Sequence, residues 1–415
     1  MHRSLGDATL VAFLAAALAS LSNLLFNVLG ARALGPAGYG LLASLFVVMG
    51  TYGVAASGLQ AATAREAATG DLNHDGPFLD PWTRRVAFQS SWMMLALVLL
   101  AIPLGWVLAA SPAVTCVVAL FAMPAAVMFV GFGRLIGKGK LITWQILSLL
   151  SIVTKLGVGA AAFALGAGVF GFALSAPIGL GVAAVLAILL SRGVHIDSLR
   201  LRQRAVWGSS VVLLLIWATT QIDVLIGRAV LPAILSGEYA AAAVIGKASP
   251  IVVGVIGTIA LPTMARKLHS GGTGQRIGFL VGGASLVISS LIALVLTLVG
   301  PAILLTLYGP EYLGSSRLLV PIVWAAVPWC VAVGVINLKL AGHHFQVLTL
   351  SLGVVLVIET LLLILTSGNV LAYIASTAIA GILAAVAALV IRVRPANIQQ
   401  SDTKEATSAS FVTFE

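Results

Sequence analysis

Residues 8–29 read ATLVAFLAAALASLSNLLFNVL, a stretch without a single charge. As a helix rising 1.5 Å per residue it is long enough to cross a hydrocarbon core of about 30 Å. Residues 8–20, ending in Ala-Leu-Ala-Ser, mimic a signal peptide with its cleavage site. The apolar run continues through Leu29, too far for a signal core, so it reads as a first membrane helix. Working outward, comparable runs follow near 41–62, 86–109, 112–133, 141–164, 167–191, 207–231, 239–262, 277–300, 317–341, 346–366 and 369–392. None alternates with period two, which excludes a transmembrane β-barrel. The expected fold is therefore an all-α polytopic membrane protein of about twelve transmembrane helices.

Composition points the same way. Of 415 residues, 60% are hydrophobic and 9% charged, with a mean hydropathy of +1.10. Soluble domains carry roughly 45–50% apolar and about 25% charged residues, so this chain lacks the polar surface to face water. The net charge of +10 suggests nucleic acid at first, but the basic residues sit in short loops beside apolar runs. With the N-terminus inside, eighteen of the 23 Lys and Arg fall on the inner side, and Arg32, Arg228 and Arg317 on the outer. Lys155 and Lys247 fall within spans. That asymmetry predicts a cytoplasmic-membrane protein with both termini in the cytoplasm. Cys116 and Cys330 both lie in apolar segments and read as buried thiols, with no metal or cofactor site implied.

The chain repeats itself. Residues 27–36 read NVLGARALGP and residues 223–232 read DVLIGRAVLP. Gly38-Tyr39 follows the first copy, Gly237 and Tyr239 the second, and Thr63-Ala64-Arg65 is echoed by Thr263-Met264-Ala265-Arg266. The expected organisation is a six-helix half over 1–191, a basic cytoplasmic linker over 192–206, a second half over 207–392 and a disordered tail over 393–415. Each half starts inside, so the repeats are parallel, an architecture that places a substrate cavity between the halves.

At Arg32-Ala33-Leu34-Gly35-Pro36-Ala37-Gly38-Tyr39-Gly40 the chain resembles the oligosaccharide and polysaccharide flippases of the multidrug/oligosaccharidyl-lipid/polysaccharide (MOP) exporter superfamily. The first outer loop of that family commonly reads R-x-LGP-x-x-YG. The resemblance continues at Gly131-Phe132-Gly133-Arg134, where the family often has a short cytoplasmic turn. It returns at Ile222-Asp223-Val224-Leu225-Ile226-Gly227-Arg228, at Gly237-Glu238-Tyr239-Ala240-Ala241-Ala242, and at Leu307-Tyr308-Gly309-Pro310-Glu311-Tyr312. It implies a transporter that moves a polyprenyl-diphosphate-linked oligosaccharide across the bilayer by alternating access of two lobes. It also implies possible partners in the glycosyltransferases and polymerase of the same pathway. Some relatives hold a coupling cation, H⁺ or Na⁺, among spans seven, eleven and twelve.

Ionisable groups inside a bilayer are costly and mark function by default. Lys155, Asp223, Lys247 and Glu359 qualify by depth. Asp223 and Lys247 share one hairpin, and side chains tilting toward their own N-termini bring the two together. They form either a static buried pair or a pair that exchanges partners during transport. Arg32 and Arg228 occupy equivalent places in the two repeats. Either they grip a diphosphate by forked hydrogen bonds, or they are helix-end arginines that snorkel or cap the last carbonyls. With Asn27, Lys155 and Lys247 they make up the substrate-binding candidates. Lys155 either lines the cavity or snorkels. Asp223, Glu359 and Thr377 are the coupling candidates.

A cation-coupled multidrug exporter of the same superfamily is the main alternative, but the positive bias of these charges suits an anionic substrate better. A membrane enzyme would need a catalytic outer loop, and no nucleophile–base pair or metal spacing stands out. A non-transporting partner of a glycan-assembly complex is a third reading.

Overall fold

The computed structural model describes residues 2–69, 81–191, 203–250, 253, 275–339 and 345–391. The linker up to residue 202, the later part of span eight, the second Thr–Arg echo, all of the histidines except His2, and the tail lie outside them. The described residues fold as helices joined by short turns. In chain order these are α1 (His2–Thr69), α2 (Pro81–Leu108), α3 (Pro112–Gly137), α4 (Leu141–Ala164) and α5 (Gly168–Leu190). There follow α6 (Gln203–Val230), α7 (Ala233–Gly246), α8 (Gln275–Tyr308), a 3₁₀ turn (Pro310–Tyr312), α9 (Leu313–Lys339), α10 (Phe345–Leu365) and α11 (Val370–Val390).

Ten of these helices are long and apolar enough to cross a membrane, and α1 holds two of the expected spans. No loop separates those two spans, contrary to the sequence expectation. Helix continues to Leu34, breaks at Gly35 (φ 62°, ψ 176°) and restarts at Pro36. Glycine alone takes that conformation without strain, and proline is pre-set for the first helical position. The break reverses the chain. Asn27 and Tyr39 are twelve residues apart, ~18 Å along a straight helix, yet the Tyr39 hydroxyl donates to Asn27 Oδ1 at 2.9 Å. The rings of Phe26 and Phe46 pack with centroids 5.6 Å apart.

The Gly131–Arg134 stretch is another correction. It is not a turn but lies within α3, which runs on to Gly137. A Cβ on Gly133 would meet the Gln60 carbonyl at 2.6 Å, and one on Gly137 the Ala64 carbonyl at 2.6 Å. Glycines four residues apart let two backbones approach closely, the usual device for packing helices in lipid. Arg134 is buried and donates to the Thr83 hydroxyl on α2, so its charge ties helices together rather than facing water.

Helices α1 to α5 pack on one another, as do α6 to α11, with α9 buried among α7, α8 and α11. Extensive contact between the two sets is made by α1, against α6 and α7. The outward faces are apolar: Leu99, Trp106, Leu298 and Leu350 are all more than two-thirds exposed. A surface of this kind is stable only against lipid chains. The helix ends carrying both termini define one face of the bundle, and the kink at Gly35 lies at the opposite face.

Candidate functional site

Three features of local sequence assemble a polar centre inside the bundle. Asp223 sits two turns before the end of α6 and is fully buried. Helix α7 stops at Gly246, in the middle of the expected eighth span. Pro250 accounts for the stop, because its ring would clash with the carbonyl four residues earlier, that of Gly246. Lys247 follows the break, and its Nζ reaches Asp223 Oδ1 at 2.6 Å, Oδ2 at 2.5 Å and the Thr220 carbonyl at 2.8 Å. Interrupted helices of this kind are tolerated in membranes where they line a cavity.

Two tyrosines complete the cluster. The Tyr239 hydroxyl donates to Asp223 Oδ2, and the Tyr373 hydroxyl donates to the Asp223 carbonyl at 2.5 Å. Their rings meet edge to face at 5.5 Å. Glu359 on α10 lies within electrostatic reach of Asp223 and Lys247. It is fully buried, and neither carboxyl oxygen has a hydrogen-bond partner.

Lys247 also borders a cavity of about 440 Å³. The walls come from Ser57 on α1, Trp217, Thr220 and Gln221 on α6, Trp329 and Asn337 on α9, and Thr377 on α11. The cavity lies toward the termini-bearing face, since Asn337 is two residues from the end of α9 and Ser57 lies ~33 Å along α1 from the kink. Trp217 fits only because Gly50 carries no side chain, a Cβ there colliding with the indole. The indole N–H of Trp217 has no partner, whereas that of Trp329 donates to the Thr377 carbonyl at 3.0 Å. Among the described residues lining the space, Lys247 is the ionisable side chain.

The remaining candidates lie elsewhere. Lys155 joins α4 to α1: its Nζ donates to Asn23 Oδ1 at 3.1 Å and lies 4.2 Å and 4.4 Å from the ring centroids of Phe26 and Phe46. Asn27 accepts from Tyr39 and donates to the Asn23 carbonyl at 2.7 Å. Arg32 and Arg228 hold backbone carbonyls at the face opposite the termini. The structure thus gathers Asp223, Lys247, Glu359 and Thr377 at or beside the cavity, and sets Lys155, Asn27 and the two arginines apart from it. Sequence reasoning missed Trp217, Gln221, Trp329 and Asn337. A signal existed: Trp217 and Gln221 are four residues apart, and Trp329 and Asn337 eight, so each pair shares a helix face.

No known protein family and no curated relative matches the chain by sequence. Solved structures do resemble it. An inward-facing multidrug resistance MATE family transporter of the MOP superfamily superposes with a TM-score of 0.67 at 13% identity, over 89% of this chain and 93% of the other. The lipid II flippase MurJ in an inward closed conformation gives 0.64 at 14% identity, over 92% and 87%. An outward-facing multidrug resistance MATE family transporter gives 0.55 at 14% identity, over 92% of each chain. The chain has the fold of the MOP-superfamily transporters.

Proposed function

We propose that this protein is a flippase carrying a polyprenyl-diphosphate-linked oligosaccharide, a precursor of cell-surface polysaccharide, across the cytoplasmic membrane by alternating access. Residues 1–191 and 207–392 act as its two lobes, joined by the linker at 192–206. The observation that carries this reading is the lining of the cavity: Lys247 for the diphosphate, with Trp217, Trp329, Gln221 and Asn337 for sugar rings. Indole faces and side-chain amides suit carbohydrate, and a lysine binds phosphate as a point charge. Asp223, Glu359 and Thr377 form the coupling site for H⁺ or Na⁺. A buried carboxyl without a partner is expensive when charged and is relieved by a proton or a cation. A multidrug exporter is the second reading, favoured by the likeness to multidrug resistance MATE transporters. Against it stands the lining, where among the described residues an ammonium, that of Lys247, and no carboxylate borders the cavity, an arrangement that suits an anionic group better than a cationic drug.

In sealed proteoliposomes the purified protein should translocate an isotopically labelled lipid-linked oligosaccharide, and Lys247→Met should lower the rate at least about tenfold, the equivalent of one lost charge-assisted contact. Export of a cationic dye with no movement of the lipid-linked sugar would decide for the second reading.

In this reading both termini face the cytoplasm, as the distribution of Lys and Arg expects. In intact cells an impermeant thiol reagent should therefore label cysteines at Ser111, in the turn after α2, and Ile234, in the first turn of α7, and label one at Lys140 only after permeabilisation. Labelling at 140 from outside would invert the topology.

A further inference from the structure

The arginines of the two repeats bond in a pattern that neither repeat alone explains. Arg32 lies on α1 and donates from Nε to the Leu307 carbonyl at 2.7 Å and from Nη2 to the Thr306 carbonyl at 2.8 Å. Those carbonyls belong to the last turn of α8, in the other half of the chain. Arg228 lies on α6 and donates from Nε to the Leu108 carbonyl at 3.0 Å, the last residue of α2, and from Nη1 to Ala37 at 3.4 Å. Each half therefore sends one arginine across to the helix end of the other, onto the third span of that half. The chemistry fits such a contact, because the last carbonyls of a helix lack partners within it and carry its negative pole. The planar guanidinium offers two parallel donors to successive carbonyls, which an ammonium cannot.

Around the arginines the halves meet through main-chain contacts and a tyrosine cluster. At the same face a Cβ on Gly40 would stand 2.8 Å from the Gly237 nitrogen and 2.9 Å from Ser236 Oγ, so the two backbones meet closely there, and Tyr39 packs against Tyr308 and Tyr312 with ring centroids 6.0 Å and 6.4 Å apart. The Tyr312 hydroxyl donates to the Ala31 carbonyl at 2.9 Å, another bond to a main-chain acceptor across the halves. Main-chain acceptors at helix ends are satisfied by water when the surface parts, so opening strands no buried polar group. Arg32 is already exposed and needs no desolvated partner.

We propose that Arg32 and Arg228 form a crossed clasp that holds the face opposite the termini shut and releases when that face opens. The proposal rests on the alternating-access reading but not on the identity of the substrate. It assigns the two arginines to the gate and not to diphosphate binding.

The test is cavity access. A single cysteine at Ser57, with Cys116 and Cys330 replaced, is challenged with an impermeant maleimide from the face opposite the termini in sealed vesicles without substrate. Arg32→Gln and Arg228→Gln should each raise its labelling rate about fivefold or more, the scale of a modest population shift, and the double variant further. Labelling from the termini-bearing face should fall in parallel. Arg→Lys at either position should leave the cavity open, since one of the two bonds is lost. Gly40→Ala keeps both arginines but wedges α1 from α7, and it should raise labelling in the same sense even if a glutamine variant fails to fold. Unchanged labelling from both faces in these variants overturns the clasp. Loss of lipid-linked sugar flux in the wild type, with the labelling shifts intact, fails only the substrate assignment.

Discussion

Asp223→Asn and Lys247→Met, made singly, are each expected to lower detergent thermostability and to abolish transport, while the double variant regains most of the stability and stays inactive. The Lys247 ammonium lies 2.5 Å from the Asp223 carboxylate, the Asp223 side chain buried and that of Lys247 14% exposed at the cavity. Breaking a buried pair strands a charge, which costs about 3–5 kcal/mol in soluble proteins, while removing both partners leaves none stranded. Stability therefore tests the pair itself. Transport tests its role, because Lys247 both holds Asp223 and borders the cavity. A lysine that must leave Asp223 to meet an anionic substrate cannot be replaced by two neutral side chains, however well they pack. Tyr239 bonds the same carboxylate oxygen as Lys247, so Asp223 keeps a donor when the lysine moves away. Measured side by side, a folded and active double variant would reject the exchanging pair, and normal stability in both single variants would reject the pair.

Glu359→Gln should fold as well as the wild type and still exchange substrate across the membrane, yet lose the accumulation driven by an imposed ion gradient by at least about tenfold, the loss of one coupling interaction. Both carboxyl oxygens of Glu359 are buried without a partner, and Asp223 is close enough to repel a second negative charge. Such a position is tolerable when a proton or cation is bound and costly when it is not. Glutamine has the shape of the neutral acid but cannot release a proton or balance a cation's charge. Separate Na⁺ and H⁺ gradients, each read against simple exchange, identify the ion. Gradient-driven accumulation at the wild-type rate in Glu359→Gln would remove Glu359 from the coupling site.

The apolar runs determined by themselves that the chain spans a membrane many times, because a charge-free run of this length has one solvent that satisfies it and one conformation that pairs its backbone there. The approach of Asp223 to Lys247 was also within reach of sequence, since both belong to one hairpin and helical side chains tilt in a fixed direction. Helix limits were not. The stretches at Gly35 and Gly131 look like loops in a residue-by-residue reading, yet one is a kink and the other a helix-packing surface. The difference lies in neighbours: Gln60 and Ala64 for the glycines of α3, and Tyr39 folding back on Asn27 for the kink. The arginines show the limit most clearly. Their equivalence was visible in the repeat, and so was the choice between binding an anion and capping a helix. Which helix each would cap depended on carbonyls 275 and 120 residues away. A backbone acceptor has no side-chain identity to leave in a sequence, so only the packing of one half against the other could name it.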